Sequence, residues 1–136
     1  MNTKTWLAAL LLTTIALAAC GGGSANGPSL EGVQWKLVTL NGQPPVANTN
    51  PTATFTAGQL GGSGGCNSYF GSYRISGSAL TIGEMGMTEM YCTDPGVMDQ
   101  ETAFLAALGS VASFRMAGGQ LELLNAAGQV VVVMGQ

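Results

Sequence analysis

The stretch GGSGGCNSYFGSY, residues 61–73, contains the features that decide the fold of this chain. Four of its first five residues are glycines, which let a strand turn a barrel corner, as a glycine bulge does, or pass close to another backbone. A phosphate-binding loop is excluded, because no Gly-Lys-Ser/Thr sequence follows and no helix start is within reach. The glycines therefore predict a tightly packed β structure.

Asn67 lies directly after these glycines, and two interpretations of it stay open. Asparagine in turns commonly hydrogen-bonds the local backbone, which would make this side chain structural. Alternatively, four polar or aromatic side chains could line a polar recognition surface: Asn67, Tyr69, Tyr73 and Arg74.

Short β-strands are predicted on both sides of this stretch. Residues 33–37 alternate apolar and polar side chains, as a half-buried strand does, and Asn41-Gly42 is a turn signal after them. Residues 52–56 are rich in β-branched side chains. Further strands, bounded by Gly, Ser or Asn, are predicted at 71–75, 79–82, 112–116, 120–124 and 129–134, with turns at 118–119 and 125–128.

One segment has the period of a helix instead of a strand. Apolar and packing positions recur at spacings of three and four residues: Val97, Met98, Glu101, Phe104, Leu105 and Leu108. Asp94-Pro95 predicts the helix start and Gly109 its end. Since the apolar face of this helix needs a sheet to pack on, the predicted fold is mainly β: a small antiparallel β-barrel-like domain with one covering α-helix.

The N-terminus has the layout of a secretory signal, with Lys4 followed by an apolar run from Trp6 to Ala19. The run is too short for a membrane-spanning helix, which needs about 20 residues. Its end, Leu17-Ala18-Ala19-Cys20, resembles the lipobox of bacterial lipoproteins, in which the cysteine is acylated and becomes the first residue after cleavage. The resemblance implies that Cys20 is the lipid attachment site.

This resemblance divides the chain into a signal peptide at 1–19, a flexible tether at 20–28 and one domain at 29–136. It implies a protein lipid-anchored in the bacterial cell envelope. Gly21 after the cysteine favours the outer membrane, facing the periplasm, where the cell has one. The membrane is then a partner through the N-terminal lipid.

Composition excludes several classes of function. Without residues 1–19 the chain has three cations and seven anions, a net charge of −4, and no basic patch for nucleic acid. It has no histidine, so Ser-His and Cys-His nucleophiles and the common zinc sites are excluded. Asp99 and Glu101, taken as surface carboxylates, have no neighbours that mark them as catalytic. We expect no enzyme activity, no catalytic residues, no cofactor and no metal.

Residues 64–73 resemble the glycine-cysteine-asparagine signature of the META domain, or HslJ-like, family. The resemblance continues in order through residues 80–83, 88–92 and 98–105, and residues 30–37 match the family's opening. The family implies a barrel-like β domain with a helix on bacterial envelope proteins, linked to envelope stress, drug tolerance and motility. It implies no known reaction, so we expect a non-enzymatic monomer that binds an unknown envelope protein or small ligand.

Cys66 and Cys92 are the other two cysteines of the chain. In an oxidising envelope two cysteines in one small domain are expected to pair, and we predict a disulfide between them. A reactive thiol is the alternative, but no nearby basic side chain would lower a thiol pKa.

The methionines Met85, Met87 and Met90 allow a second hypothesis. Together with Cys92 they are soft ligands of the kind that select Cu(I). Methionine also fills cores, and Met85 and Met87 share one face of a strand, so we predict that all three are packing residues. Copper handling and small-ligand binding in the barrel mouth remain the alternative functions.

The lipidation hypothesis is testable at one residue. Cys20→Ser should leave unprocessed precursor and abolish acyl labelling, because the acylated thiol is absent. Metabolic labelling with a fatty-acid analogue, together with the size of the mature chain, measures both. Cleavage and labelling equal to those of the wild type would contradict the hypothesis.

Overall fold

The computed structural model describes residues 29–136, so the predicted signal peptide, the tether and Cys20 lie outside the described residues. These residues form eight strands and one helix. In chain order they are β1 (Gln34–Leu40), β2 (Thr52–Thr56), β3 (Gln59–Ser63), β4 (Ser68–Ser76), β5 (Ala79–Met87), α1 (Val97–Gly109), β6 (Val111–Ala117), β7 (Gln120–Asn125) and β8 (Val130–Gly135).

The eight strands close into one antiparallel barrel in sequence order, with β1 beside β8. Most neighbours share several residue pairs, but β5 and β6 share a single one, Ala79 with Ser113. Helix α1 lies in the connection between these two strands. The predicted fold class is therefore confirmed, and α1 is inserted where the barrel ladder is weakest.

Side chains fill the barrel interior, as expected for eight strands. Alternation in β1 places Trp35 and Leu37 inside, as the sequence pattern predicts. Leucines of β3, β5 and β7 and the buried residues of β8 complete the core around Phe55. The interior is a packed core, so the structure does not favour the small-ligand alternative in the barrel mouth.

Two tyrosines on the interior face of β4 show how the barrel ends are covered. Tyr69 contacts Phe104 of α1 edge to face, with ring centroids 5.9 Å apart. Tyr73, about 13 Å further along the strand, makes a similar contact with Phe55 at 5.1 Å. At that end the segment before β1 crosses the barrel, where Leu30 is buried and its carbonyl accepts a bond from the Trp35 indole N–H at 2.9 Å.

Strand β3 was not predicted from the sequence. Residues 61–63 pair with β4, and Gly61 also pairs with β2, without a register shift, so they form a regular strand and not a bulge. The close approach expected of these glycines is confirmed, because a Cβ at Gly62 would lie 2.1 Å from the carbonyl oxygen of Thr52. Because glycines have no side chains, the two backbones can approach closely. For the same reason the segment lacks the apolar alternation by which a strand is recognised in a sequence.

Helix α1 begins later than predicted. Its N-cap is Gly96, in the left-handed conformation with φ of 82°, and no side chain caps the helix, so the predicted Asp94 cap is wrong. Gly109 is the last helical residue, close to the predicted end. Within residues 29–136 no helix is long and apolar enough to cross a membrane.

The contribution of α1 packing to the stability of the barrel can be measured at Phe104, which is fully buried. Phe104→Ala should lower the free energy of unfolding by about 3–5 kcal/mol, the usual cost of such a cavity. Urea unfolding followed by Trp35 fluorescence measures it, with Ala106→Ser on the exposed face of α1 as a control that should change it by under ~0.5 kcal/mol. A loss below ~1 kcal/mol would contradict the packing described.

Candidate functional site

A buried carboxylate lies where α1 crosses the turn between β3 and β4. Glu101 is 1% exposed. It accepts the backbone N–H of Cys66 at 3.0 Å and of Asn67 at 2.5 Å, and the Asn67 side-chain amide at 2.7 Å. Buried charges need partners, and three N–H donors serve this one.

Asn67 joins the same turn to the loop between β5 and α1, residues 88–96, which we call the 88–96 loop. Its amide nitrogen also donates to the Met90 carbonyl at 3.0 Å. Its oxygen accepts the Met90 N–H at 2.6 Å and the Thr88 hydroxyl at 2.8 Å. All the hydrogen-bonding capacity of the side-chain amide is therefore used. Its backbone partner, Met90, lies 23 residues away, so the prediction of a local backbone partner is wrong.

The predicted disulfide between Cys66 and Cys92 is confirmed, with Cα atoms 6.0 Å apart. It ties the 88–96 loop to the same turn that Asn67 holds. In the chain-entropy model a bridge across 26 residues contributes roughly 3.5 kcal/mol. The loop is thus fixed by one covalent bond and by the amide of Asn67.

Gln100, next to Glu101, holds a second loop. Its side-chain oxygen accepts the Val46 N–H at 2.5 Å, and its nitrogen donates to the Thr49 hydroxyl at 2.9 Å. The first turns of α1 therefore brace both the β1–β2 connection and the β3–β4 turn. This role of Gln100 and Glu101 was not predicted from the sequence, although a carboxylate at a packing position of a predicted helix was the available signal.

The predicted recognition surface is wrong for three of its four residues. Asn67, Tyr69 and Tyr73 are buried, and only Arg74 is exposed. Strand alternation in β4 directs both tyrosines into the barrel and Arg74 outward, whereas Asn67 precedes β4 and is held by its bonds to Glu101 and Met90. The groove beside Arg74 has a volume of about 230 Å³ and is lined by Ser72, Tyr73, Arg74, Thr81 and Gly83.

Both buried tyrosines act as neutral hydrogen-bond donors. Tyr69 donates to the Thr52 carbonyl at 2.7 Å, and Tyr73 donates to the Glu31 carboxylate. Loss of solvent raises the pKa of both phenols above the ordinary value of 10.0, and for Tyr73 the Glu31 carboxylate raises the pKa further. Each phenol has a higher pKa in the folded state than in the unfolded state. Its contribution to the free energy of unfolding is therefore complete below about pH 10 and is lost as the pH rises through the folded-state pKa.

Asp99 and Glu101 do not form a paired-carboxylate site. Asp99 is exposed in the first turn of α1, whereas Glu101 is buried, so the prediction that both are surface residues is wrong for Glu101. The two residues are neighbours along the chain but face different environments.

Four large apolar side chains within five residues of Cys66 or Cys92 in the sequence are exposed, and we call them the apolar rim. Their exposed fractions are Phe70 63%, Met87 41%, Met90 58% and Tyr91 80%. The Phe70 ring covers Gly86, where an added Cβ would lie 2.6 Å from it. All four belong to segments that the β4–β5 pairing and the disulfide hold side by side.

The prediction that all three methionines are packing residues is wrong for two of them. Met85 is half-buried against the core, as predicted, but Met87 and Met90 are exposed and do not pack inside the sheet. Met87, the last residue of β5, pairs with Tyr69 of β4 but within residues 29–136 has no strand on its other side, and Met90 lies beyond β5 in the 88–96 loop. Cys92 is in the disulfide and offers no thiolate to a metal, which weakens the copper alternative.

The sequence model of the META domain matches residues 28–136, the whole barrel with its helix and disulfide. The chain belongs to the META domain family. It is 25% identical over 124 residues to heat shock protein HslJ of Escherichia coli strain K12, an alignment that covers 88% of this chain and 89% of that protein.

Solved structures share the META domain's fold. An NMR structure of a protein from Burkholderia xenovorans superimposes with a TM-score of 0.61 at 26% identity, covering 78% of this chain and 82% of that one. A second NMR structure superimposes with a TM-score of 0.62 at 25% identity, covering 78% of this chain and 90% of that one. A DUF4847 family protein from Bacteroides vulgatus superimposes with a TM-score of 0.56 at 15% identity, covering 78% of this chain and 93% of that one. This similarity shows the fold alone.

The packing around the buried carboxylate can be tested at Gly64. A Cβ there would lie 2.6 Å from Glu101 Cγ, so Gly64→Ala should destabilise the domain by about 1–3 kcal/mol. The matched control is Gly61→Ala, whose nearest contact would be an ordinary 3.6 Å and whose effect should stay under ~1 kcal/mol. Urea unfolding of both variants measures the difference. Equal stabilities would show that the carboxylate is not held as described.

Proposed function

We propose that this protein is a lipid-tethered, non-enzymatic envelope protein whose META domain binds a partner protein through the apolar rim. The observation that carries the proposal is the exposure of Met90 and Tyr91 on the braced 88–96 loop and of Phe70 and Met87 on the adjoining strands β4 and β5. Exposed apolar side chains that cluster on a soluble domain mark interaction sites, and aromatic anchors dominate binding energy.

The bonds that hold the 88–96 loop in place favour a binding role for its exposed side chains. Cys66–Cys92 and the Asn67 bonds to Met90 fix the 88–96 loop before any partner arrives. A loop that is ordered in advance loses less conformational entropy on association, so more of its contact energy appears as affinity.

A non-enzymatic role is supported by the chemistry of the described residues. The buried Glu101 is engaged by three N–H donors, and Asp99 faces solvent away from it. The chain has no histidine to act as a base. Neither carboxylate is thus arranged for proton transfer to a shared substrate.

The cellular context comes from two sources. The lipobox-like end of the leader, Leu17 to Cys20, supports tethering to the envelope membrane. Membership of the META family and the similarity to heat shock protein HslJ support a stress-related role. Together they describe an envelope protein that engages its partner when the envelope is challenged.

Site-specific photo-crosslinking in living cells tests the proposal. A benzophenone-bearing phenylalanine analogue at position 91 should yield discrete protein adducts, because this side chain is 80% exposed in the apolar rim. The control places the same analogue at position 75, where Ile75 is 40% exposed on the β4–β5 hairpin. Adding Phe70→Ser should lower the yield at 91 by roughly tenfold if Phe70 is a binding anchor.

Adducts that are the same from positions 91 and 75, or absent from both, would contradict the proposed function. Circular dichroism of each variant checks that the barrel is intact. Since Phe70 is an outward residue of β4, its replacement removes no core contact.

A further inference from the structure

The apolar rim lies in the part of the chain that has anions and no cations. From residue 75 to residue 114 there is no lysine or arginine, while Glu84, Glu89, Asp94, Asp99 and Glu101 all fall within it. Glu101 is buried, and the other four are exposed. The 88–96 loop, which presents Met90 and Tyr91, therefore carries the exposed anions Glu89 and Asp94 and no cation.

These exposed carboxylates are close to the rim by chain geometry alone. Glu89 and Asp94 flank Tyr91 at two and three residues, so their Cα atoms lie within about 7 Å and 11 Å of it. Asp99 is in the first turn of α1, directly after the 88–96 loop. Such separations are comparable with the Debye length of about 8 Å at physiological ionic strength, so the charges act together on a bound partner.

Protein cations do not neutralise this surface. The salt bridge within residues 29–136 joins Arg115 to Glu122, in β6 and β7. Lys36 is in β1 and Arg74 is in β4, where it pairs with Thr81 of β5, and neither forms a salt bridge with Glu84, Glu89, Asp94 or Asp99. The negative charge of the loop is thus available to a partner.

We propose that the apolar rim and its acidic surround bind a polypeptide segment of another protein that carries both cationic and apolar side chains. This inference rests on the proposed function and specifies the partner of the same surface. Charge complementarity steers such a segment to the loop, and burial of Phe70, Met90 and Tyr91 then holds it.

Other occupants fit less well. A second copy of this chain in a symmetric dimer would place the same acidic surface against itself, which like charges oppose. The tether sequence GGGSANGP, residues 21–28, has no cation. An anionic membrane surface would be repelled by the same four carboxylates.

Synthetic peptides test the partner's chemistry directly. Fluorescein-labelled 12-residue peptides that alternate Lys with Leu or Phe would be titrated into the full-length protein in neutral detergent, and anisotropy recorded. One matched peptide replaces every Lys by Glu, and another replaces every apolar residue by Ser. We expect the Lys/apolar peptide to bind at least tenfold tighter than either, and more weakly as salt is raised.

Variants of the protein locate the contact. The combined change Glu89→Gln, Asp94→Asn and Asp99→Asn should weaken binding roughly tenfold, because several exposed charges each contribute modestly. Tyr91→Ser should weaken it by a similar factor through the apolar contact. Glu122→Gln, which removes one charge on β7, should leave the affinity within about twofold and serves as the control.

Each outcome decides between occupants. Equal binding of the Lys and Glu peptides, or no effect of the triple change, overturns the inference, and so does binding unaffected by Tyr91→Ser. Concentration-dependent dimers that Tyr91→Ser dissolves would assign the rim to a second copy instead. If crosslinks from position 91 persist in cells while the Lys/apolar peptide fails to bind, the proposed function stands and only the partner's chemistry is wrong.

Discussion

The set of hydrogen bonds around the Glu101 carboxylate is the constraint on which the arrangement of this end of the barrel depends. Removing a carboxylate from water costs several kcal/mol unless donors replace the lost solvent. Here two backbone N–H groups and one amide of the β3–β4 turn do so. The turn must wrap closely around the carboxylate to present these donors, and Gly64 leaves the space for it. The position of α1 and the start of β4 are thereby fixed together.

The same turn also fixes the longest connection of the barrel. Asn67 and Cys66 are adjacent, and each holds a different residue of the 88–96 loop, one by hydrogen bonds and one by a disulfide. Because Glu101 orients Asn67, the helix, the turn and the loop form one connected unit. A loop with such support can present large apolar side chains to solvent in a defined arrangement.

The connection between β5 and β6 both covers the barrel end and carries part of the apolar rim. The β5–β6 neighbours are joined by a single residue pair, and the chain between them supplies α1, which covers the barrel end with Phe104 and Leu108. On its way to α1 that chain forms the 88–96 loop with its exposed Tyr91 and acidic neighbours. Tyr91, which is exposed, and Phe104, which is fully buried, thus belong to the same connection and lie 13 residues apart.

The sequence by itself determined the class of the domain, because hydrophobic period and turn residues are local properties. Alternation in β1, the three-and-four spacing of α1 and the paired glycines at 118–119 each predicted the element that forms. The disulfide also followed from composition, since two cysteines remained for one domain. Strand β3 did not follow, because its glycines have no side chains to alternate.

Only the tertiary structure decided which polar and apolar residues are inside. The sequence predicted a local backbone partner or a surface position for Asn67 and a surface position for Glu101, yet the two side chains hydrogen-bond each other across 34 residues, a pairing that no local pattern encodes. Met87 and Met90 were predicted to be core residues, yet both are exposed, because Met87 ends its strand and Met90 lies in the loop beyond it. Burial depends on which distant segments meet, and that is settled by the closure of the barrel as a whole.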